Sequence, residues 1–271
     1  MTSPTTLRDL AERAAERGGE VILAALAAHG SAARAAADKS LPGDYVTEVD
    51  LASERAIAQV LRAADPGIPI LAEESGRSGD LGDRYWVVDP LDGTTNFVHG
   101  FPIVGVSVAL VDGGSPVAGA VHAPFLGETY GAEQGHGAWL TRTAREPVRL
   151  LVSAREPARA VVGTGFPFRR AERLPRYLRA FSGALERFED LRRPGAASLD
   201  LAWVAAGVSE GFFELGLAPW DVAAGGLLIR EAGGVVTDWH GGDDWLRGDI
   251  LAGSLQVHAE LLGLARATAC D

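Results

Sequence analysis

Two aspartates three residues apart, at the exit of an apolar run, carry the strongest chemical signal in the sequence. In Trp86-Val87-Val88-Asp89-Pro90-Leu91-Asp92-Gly93-Thr94-Thr95-Asn96-Phe97 a strand-like stretch runs straight into Asp89, and Asp92 follows after Pro90-Leu91. Carboxylates buried this close together are costly unless cations pair with them. Pro90 fixes the backbone and removes one donor, so the two acids can converge in a tight turn. Gly93 lets the chain turn closely. Thr94-Thr95-Asn96 could open a short helix, whose free N–H groups suit a phosphate. One segment can therefore supply metal ligands and an anion cradle together. A plainer reading makes this an ordinary turn with Asp92 capping the next helix, but the long string D-P-x-D-G-T-T-N argues against it.

The pattern of apolar run and acid recurs. Ile68-Pro69-Ile70-Leu71-Ala72 leads into Glu73-Glu74-Ser75, so two neighbouring strand ends can both present acids. Glu73, nearest the strand, is the better ligand candidate; Glu74 is left to solvent or to a basic loop. Leu217-Ala218-Pro219-Trp220-Asp221-Val222-Ala223 sets Asp221 at the head of an apolar helix, as an N-cap that can also point into a cleft. Asp50, in Thr47-Glu48-Val49-Asp50, reads either as the capping-box partner of Thr47 or as a further ligand. Ligands that are all oxygen select a hard cation, Mg²⁺ ahead of Mn²⁺ or Ca²⁺. None of the six histidines shows H-x-x-x-H spacing, and His99 and His122 read as structural or surface residues. There is no G-x-S-x-G and no Walker loop, and Gly163-Thr164-Gly165 is too short to signal a nucleotide site. With no cysteine or serine nucleophile placed by a motif, metal activation of water is the chemistry these residues suit.

The elements that must position these groups follow from periodicity and turn chemistry. Apolar residues from Leu7 to Leu26 predict a first helix stopped by Gly30, and Asp38 to Asp44 reads as a loop. Thr47 starts a second helix, which Asp65-Pro66-Gly67 ends. The runs at 103–111, 116–122 and 128–132, separated by glycine turns, predict an antiparallel meander. Beyond about residue 150 strands and helices alternate: strands at 161–165, 211–215, 235–237 and 250–252, helices at 174–188, 197–206, 223–232 and 256–268. The boundary falls near Arg145–Val152, giving domains over 1–147 and 148–271.

Composition bounds the rest. The 271 residues are 47% hydrophobic and 23% charged, as in a soluble globular protein able to bury a full core. The formal charge of −11 argues against a scaffold that grips a polyanion by bulk charge, so no direct nucleic-acid binding is expected. The single cysteine, Cys270, excludes an internal disulfide or a cysteine–zinc site. No signal peptide and no membrane-length apolar run is visible, so a cytoplasmic protein is expected.

These strings together resemble the inositol monophosphatase family, the lithium-sensitive Mg²⁺-dependent phosphatases. Ala72-Glu73-Glu74-Ser75, Asp89-Pro90-Leu91-Asp92-Gly93-Thr94-Thr95-Asn96 and Trp220-Asp221-Val222-Ala223-Ala224-Gly225 carry the likeness. Phe97-Val98-His99-Gly100-Phe101-Pro102 and Glu231-Ala232-Gly233-Gly234 fit too, so the likeness covers residues 7–265. Thr164-Gly165-Phe166-Pro167-Phe168, Arg192-Arg193 and Gly211-Phe212-Phe213-Glu214 most resemble the bacterial inositol-1-monophosphatase branch.

The resemblance implies a mixed α/β and α+β fold, a layered α-β-α-β-α sandwich of the inositol monophosphatase and sugar phosphatase type, commonly a homodimer. In it the first domain carries most metal ligands, and the second supplies Asp221 and substrate contacts. It implies two or three Mg²⁺ per site: Glu73, Asp89 and the Leu91 carbonyl around a first ion, Asp89, Asp92 and Asp221 around a second, and Asp50 near a weaker third, with Lys39 beside it. Glu73, Asp50 and Thr94 are then the catalytic candidates, with Thr94 orienting the attacking water. Gly93, Thr94 and Thr95 would meet the phosphate. The turn Gly195-Ala196-Ala197, with Glu214 and Asp221, would face the alcohol part of a small phosphorylated substrate. Many relatives carry Ser or Thr where this chain has Ala196, and Pro194 is also unusual there. The expected substrate is inositol 1-phosphate, with histidinol phosphate as the alternative on the same fold. A different class of role, a regulatory protein binding the transcription machinery, is implied by one member of the bacterial branch.

Overall fold

Thr6 and Asp9 cap the first helix reciprocally: the Thr6 hydroxyl accepts from Asp9 N, and the Asp9 carboxylate accepts from Thr6 N, both at 3.1 Å. The computed structural model describes residues 6–38, 45–168 and 170–268. Lys39 and the rest of 39–44, like Cys270, lie outside the described residues. The first half comprises α1 (Leu7–His29), β1 (Ala36–Asp38), β2 (Tyr45–Thr47), α2 (Glu48–Ala64), β3 (Ile70–Ala72), β4 (Gly76–Arg77), β5 (Arg84–Asp92), α3 (Thr94–His99), β6 (Gly105–Asp112), β7 (Ser115–Ala123), β8 (Glu128–Glu133), β9 (Gly137–Arg142) and β10 (Val148–Arg149). The second comprises β11 (Val161–Thr164), α4 (Leu174–Arg187), β12 (Asp190–Arg192), α5 (Ala197–Ala205), β13 (Gly211–Glu214), α6 (Pro219–Glu231), β14 (Val235–Thr237), β15 (Ile250–Gly253) and α7 (Leu255–Ala267).

The expected meander is present and longer than its sequence pattern. An eight-stranded sheet runs β10-β9-β8-β7-β6-β5-β3-β4, antiparallel except where β3 pairs with β5. That parallel pairing sets Ala72, the end of β3, beside Val88 of β5, so Glu73 and Asp89 each come next along neighbouring strands. The second sheet runs β12-β11-β13-β15-β14, with β11 parallel to both β12 and β13. Asp38 closes β1 rather than opening a loop, because it pairs with Tyr45. The short strands β9, β10 and β12 have no counterpart in the sequence pattern.

The layers follow from which faces are apolar. α1 presents Ala11, Ala14, Ala15, Gly18 and Ile22 to α2 and to the outer face of the large sheet. Contact there is tight enough that a Cβ on Gly18 would lie 2.7 Å from Ser53 Oγ and 3.0 Å from a Val106 methyl. α5 and α6 are apolar nearly all round, as helices buried on several sides must be. They lie between the two sheets in one core drawn from both halves of the chain, including Val121, Tyr130, Leu201, Leu228 and Ala252. α4 and α7 cover the far face of the small sheet through Tyr177, Phe213 and Leu261. The order is α-β-α-β-α. Among the described residues no helix is long and apolar enough to cross a membrane.

Candidate metal centre

A break in the β5–β6 ladder aims the first two acids. In a regular strand residues three apart point to opposite faces. Asp89 pairs with Ser107 but Asp92 pairs with Gly105, so three steps on β5 match two on β6. This bulge, centred on Pro90 with its missing N–H, brings both carboxyls to one side. Leu91 N donates to Asp89 Oδ1 at 3.0 Å, and the Ser53 hydroxyl from α2 donates to the Pro90 carbonyl at 2.8 Å. Gly93 follows with φ +89°, and a Cβ there would stand 3.0 Å from the Ile103 carbonyl oxygen. The chain turns at that point into α3, the short helix expected at Thr94.

Asp221 reaches the same place from the second half, though not as an N-cap. α6 begins at Pro219, four residues ahead of the expected start, because proline suits the first helical position. Asp221 is therefore the third helical residue, and its Oδ2 accepts from Ala218 N at 2.7 Å. One carboxylate oxygen from each of Asp89, Asp92 and Asp221 lies within 4.8 Å of the others. Among the described residues this is the one grouping of three or more His, Cys, Asp or Glu side chains close enough to share a cation.

The electrostatics are those of a cluster that favours a positive charge. Burial pushes the Asp89 carboxyl well above the usual range, and the charges of Glu73, Asp92 and Asp221 push it further. Burial raises Asp92 to about 6 against the downward pull of hydrogen bonds from Ser198, with Glu73 adding to the rise. Buried like charges held this close suit a divalent cation, and the all-oxygen donor set suits a hard one. Glu73 is half-buried and stands outside the three-way grouping, although its charge reaches both aspartates. Its backbone N–H donates to Val88 O at 3.1 Å, which fixes the acidic turn beside β5. The Leu91 carbonyl is buried and accepts from the Thr94 hydroxyl at 3.2 Å.

Asp50 is the capping-box partner of Thr47, as the first of its sequence readings has it, and its second oxygen reaches Thr94. Its Oδ2 accepts from Thr47 N at 2.9 Å and from the Thr47 hydroxyl at 2.5 Å, closing the capping box of α2. Its Oδ1 lies 3.2 Å from the Thr94 hydroxyl, so the same carboxylate also fixes the start of α3. Thr95 is exposed at the mouth of this turn. On the other wall, Gly195 has φ +95°, Ala196 and Ala197 are buried at the start of α5, and Glu214 ends β13. A Cβ on Gly165 would lie 2.1 Å from Glu214 Oε2, so the carboxylate packs directly on that glycine.

Four residues that hold the site were not singled out from sequence. The Asn96 amide donates to Ile103 O at 2.8 Å and to Pro194 O at 2.9 Å, tying the Gly93 turn to the Gly195 turn. Glu54 accepts from Glu74 N at 3.0 Å and Ser75 N at 3.2 Å, anchoring the acidic turn from α2. Ser198 donates to Asp92. Asp200 is buried, and desolvation, then the charges of Glu214 and Asp92, raise its carboxyl well above the usual range. Asn96 stood inside the recognised string and could have been flagged there. The Glu54 and Ser198 contacts join distant segments and leave no local pattern.

The family model for inositol monophosphatases matches residues 3–269. The chain belongs to the inositol monophosphatase family. It is 41% identical over 258 residues to a putative Nus factor SuhB of Neisseria meningitidis, covering 94% of this chain and 96% of that one. It is 43% identical over 224 residues to an inositol-1-monophosphatase of Mesorhizobium japonicum, covering 82% of each. The crystal structure of extragenic suppressor protein suhB from Bartonella henselae superposes with a TM-score of 0.86 at 37% identity, over 97% of this chain and 98% of that one. The layered sandwich expected from the sequence is therefore the inositol monophosphatase fold.

Proposed function

We propose that this chain is a divalent-cation-dependent phosphomonoesterase that hydrolyses a small polyol phosphate, with inositol 1-phosphate the first candidate. The observation that carries the reading is the convergence of Asp89, Asp92 and Asp221 within 4.8 Å, two of them buried. In this reading Glu73, Asp89 and the Leu91 carbonyl hold one Mg²⁺, Asp89, Asp92 and Asp221 a second, and Asp50 serves a weaker third. When bound, the cations neutralise phosphate charge and make water a nucleophile near neutral pH. The chain supplies position. Thr94, its hydroxyl set between Asp50 and the Leu91 carbonyl, orients the attacking water. Backbone N–H groups at Gly93, Thr94 and Thr95 hold the phosphate. Gly195, Ala196, Glu214 and Asp221 face the alcohol, which departs as water adds at phosphorus and the P–O ester bond breaks. Positioning and charge neutralisation are what phosphoryl transfer chiefly requires.

The test is phosphate release from inositol 1-phosphate, histidinol phosphate, fructose 1,6-bisphosphate and adenosine 3′,5′-bisphosphate, each with Mg²⁺ and with EDTA. Mg²⁺-dependent release, fastest with inositol 1-phosphate, supports the proposal; preference for histidinol phosphate moves it to the alternative substrate. No release from any of them leaves a second reading, which the Nus factor name of the Neisseria relative favours: a regulatory protein that binds the transcription machinery.

A further inference from the structure

The carboxylate of Asp92 is gripped by the start of α5. The Ser198 backbone N–H and its hydroxyl both donate to Oδ2, at 2.7 Å and 2.5 Å, and Ser198 is fully buried. The Ala197 backbone also reaches this carboxylate. These donors all come from the first turn of α5, where helix N–H groups lack partners of their own. One oxygen of the same carboxylate lies within 4.8 Å of oxygens of Asp89 and Asp221. Those neighbours carry the same sign, as does Glu73, and repulsion favours swinging the Asp92 carboxylate away from them. A second feature shows that the hydroxyl has a place prepared for it. Gly105, the residue paired with Asp92 across the bulge, has no side chain where a Cβ would lie 2.7 Å from Ser198 Oγ.

We propose that Ser198 is a positioning residue of the metal centre: seated in the slot left by Gly105, its hydroxyl locks one oxygen of Asp92 so that the other faces the cation. The inference rests on Asp92 being a metal ligand, as in the proposed function, and adds which residue of the second half sets its aim. Groups that orient metal ligands govern affinity even though they never touch the ion. Ser198 thereby couples cation binding to the seating of α5 against the large sheet.

The experiment is calorimetric titration of Mg²⁺ into the full chain, with the thermal midpoint in EDTA measured alongside. Ser198→Ala keeps the backbone donor and removes the hydroxyl; its Kd for Mg²⁺ rises about tenfold. Gly105→Ala leaves Ser198 in place but fills its slot, and it weakens Mg²⁺ in the same way. Thr164→Val is the matched control. It removes an equally buried hydroxyl, bonded to Phe213 O at 2.7 Å, and it lowers the EDTA midpoint with the Mg²⁺ Kd unchanged. A Ser198→Ala protein that binds Mg²⁺ as tightly as the parent overturns the proposal, as does an equal loss of affinity in Thr164→Val. A parent protein that takes up no Mg²⁺ overturns the metal-centre reading itself, and the role of Ser198 with it.

Discussion

Without a cation, the Asp92 carboxyl titrates near pH 6 rather than 3.8, because burial disfavours its charged form. Between those values the folded chain keeps a proton that the unfolded chain has released. Stability from this group is therefore fully present below about pH 3.8 and is lost as pH rises through about 6. The shift is about 2 pKa units, and at 1.36 kcal/mol per unit the charged form costs roughly 3 kcal/mol. Asp92→Asn removes the charge while preserving the shape and an acceptor for Ser198. In EDTA at neutral pH the variant is expected to be about 3 kcal/mol more stable than the parent, or roughly 5 °C in thermal midpoint for a chain of this size. The gap closes as pH falls toward 4. His122 titrates in the same range with the opposite sign, but it is present in both proteins and cancels in the difference. Saturating Mg²⁺ reverses the order, because the parent alone gains the full binding energy, and phosphate release by the variant collapses. Thermal unfolding in EDTA across a pH series, repeated with Mg²⁺, measures all of this. A variant no more stable than the parent in EDTA at neutral pH, or a gap that ignores pH, refutes the reasoning.

Three further outcomes are open to direct measurement. Gly93→Ala forces a side chain into φ +89° and against the Ile103 carbonyl, so urea unfolding should show a loss of about 1–2 kcal/mol or more. Leu201→Ala strips Cγ and both methyls from a fully buried side chain, whose Cδ1 would lie 2.8 Å from a Cβ on Gly225; chemical denaturation should register about 2–5 kcal/mol. Burial lowers the His122 pKa to about 4, so its ring should stay neutral by NMR until the pH nears that value. Stability from His122 is held above about pH 6.5 and is lost as pH falls through about 4.

What could be read from the residues was what lies close together along the chain. The first helix and its stop at Gly30, the cap at Thr47, the strand carrying Asp89, the short helix at Thr94 and the apolar helices of the second half all declare themselves locally. Asp221 was recognisable as a helix-start acid, but Pro219 moved it from the cap to the third position. β10 and β12 escaped notice because strands of two and three residues take their conformation from the neighbour they pair with. Ser198 was invisible for a related reason. A lone serine in an apolar helix looks inert, and its partner lies 106 residues away. Asp50 shows the limit of choosing between roles, since one carboxylate serves both the cap and Thr94.

The three clustered carboxylates are contributed at widely separated moments of synthesis. Asp89 and Asp92 leave the ribosome long before Asp221, and α5 with its serine emerges in the interval. The first sheet by itself holds two of the three acids, and the cluster is complete only with α6 packed between the sheets. Capture of a divalent ion would then act as a late latch that seals a completed molecule, and chelation should loosen first the seam where the two halves meet.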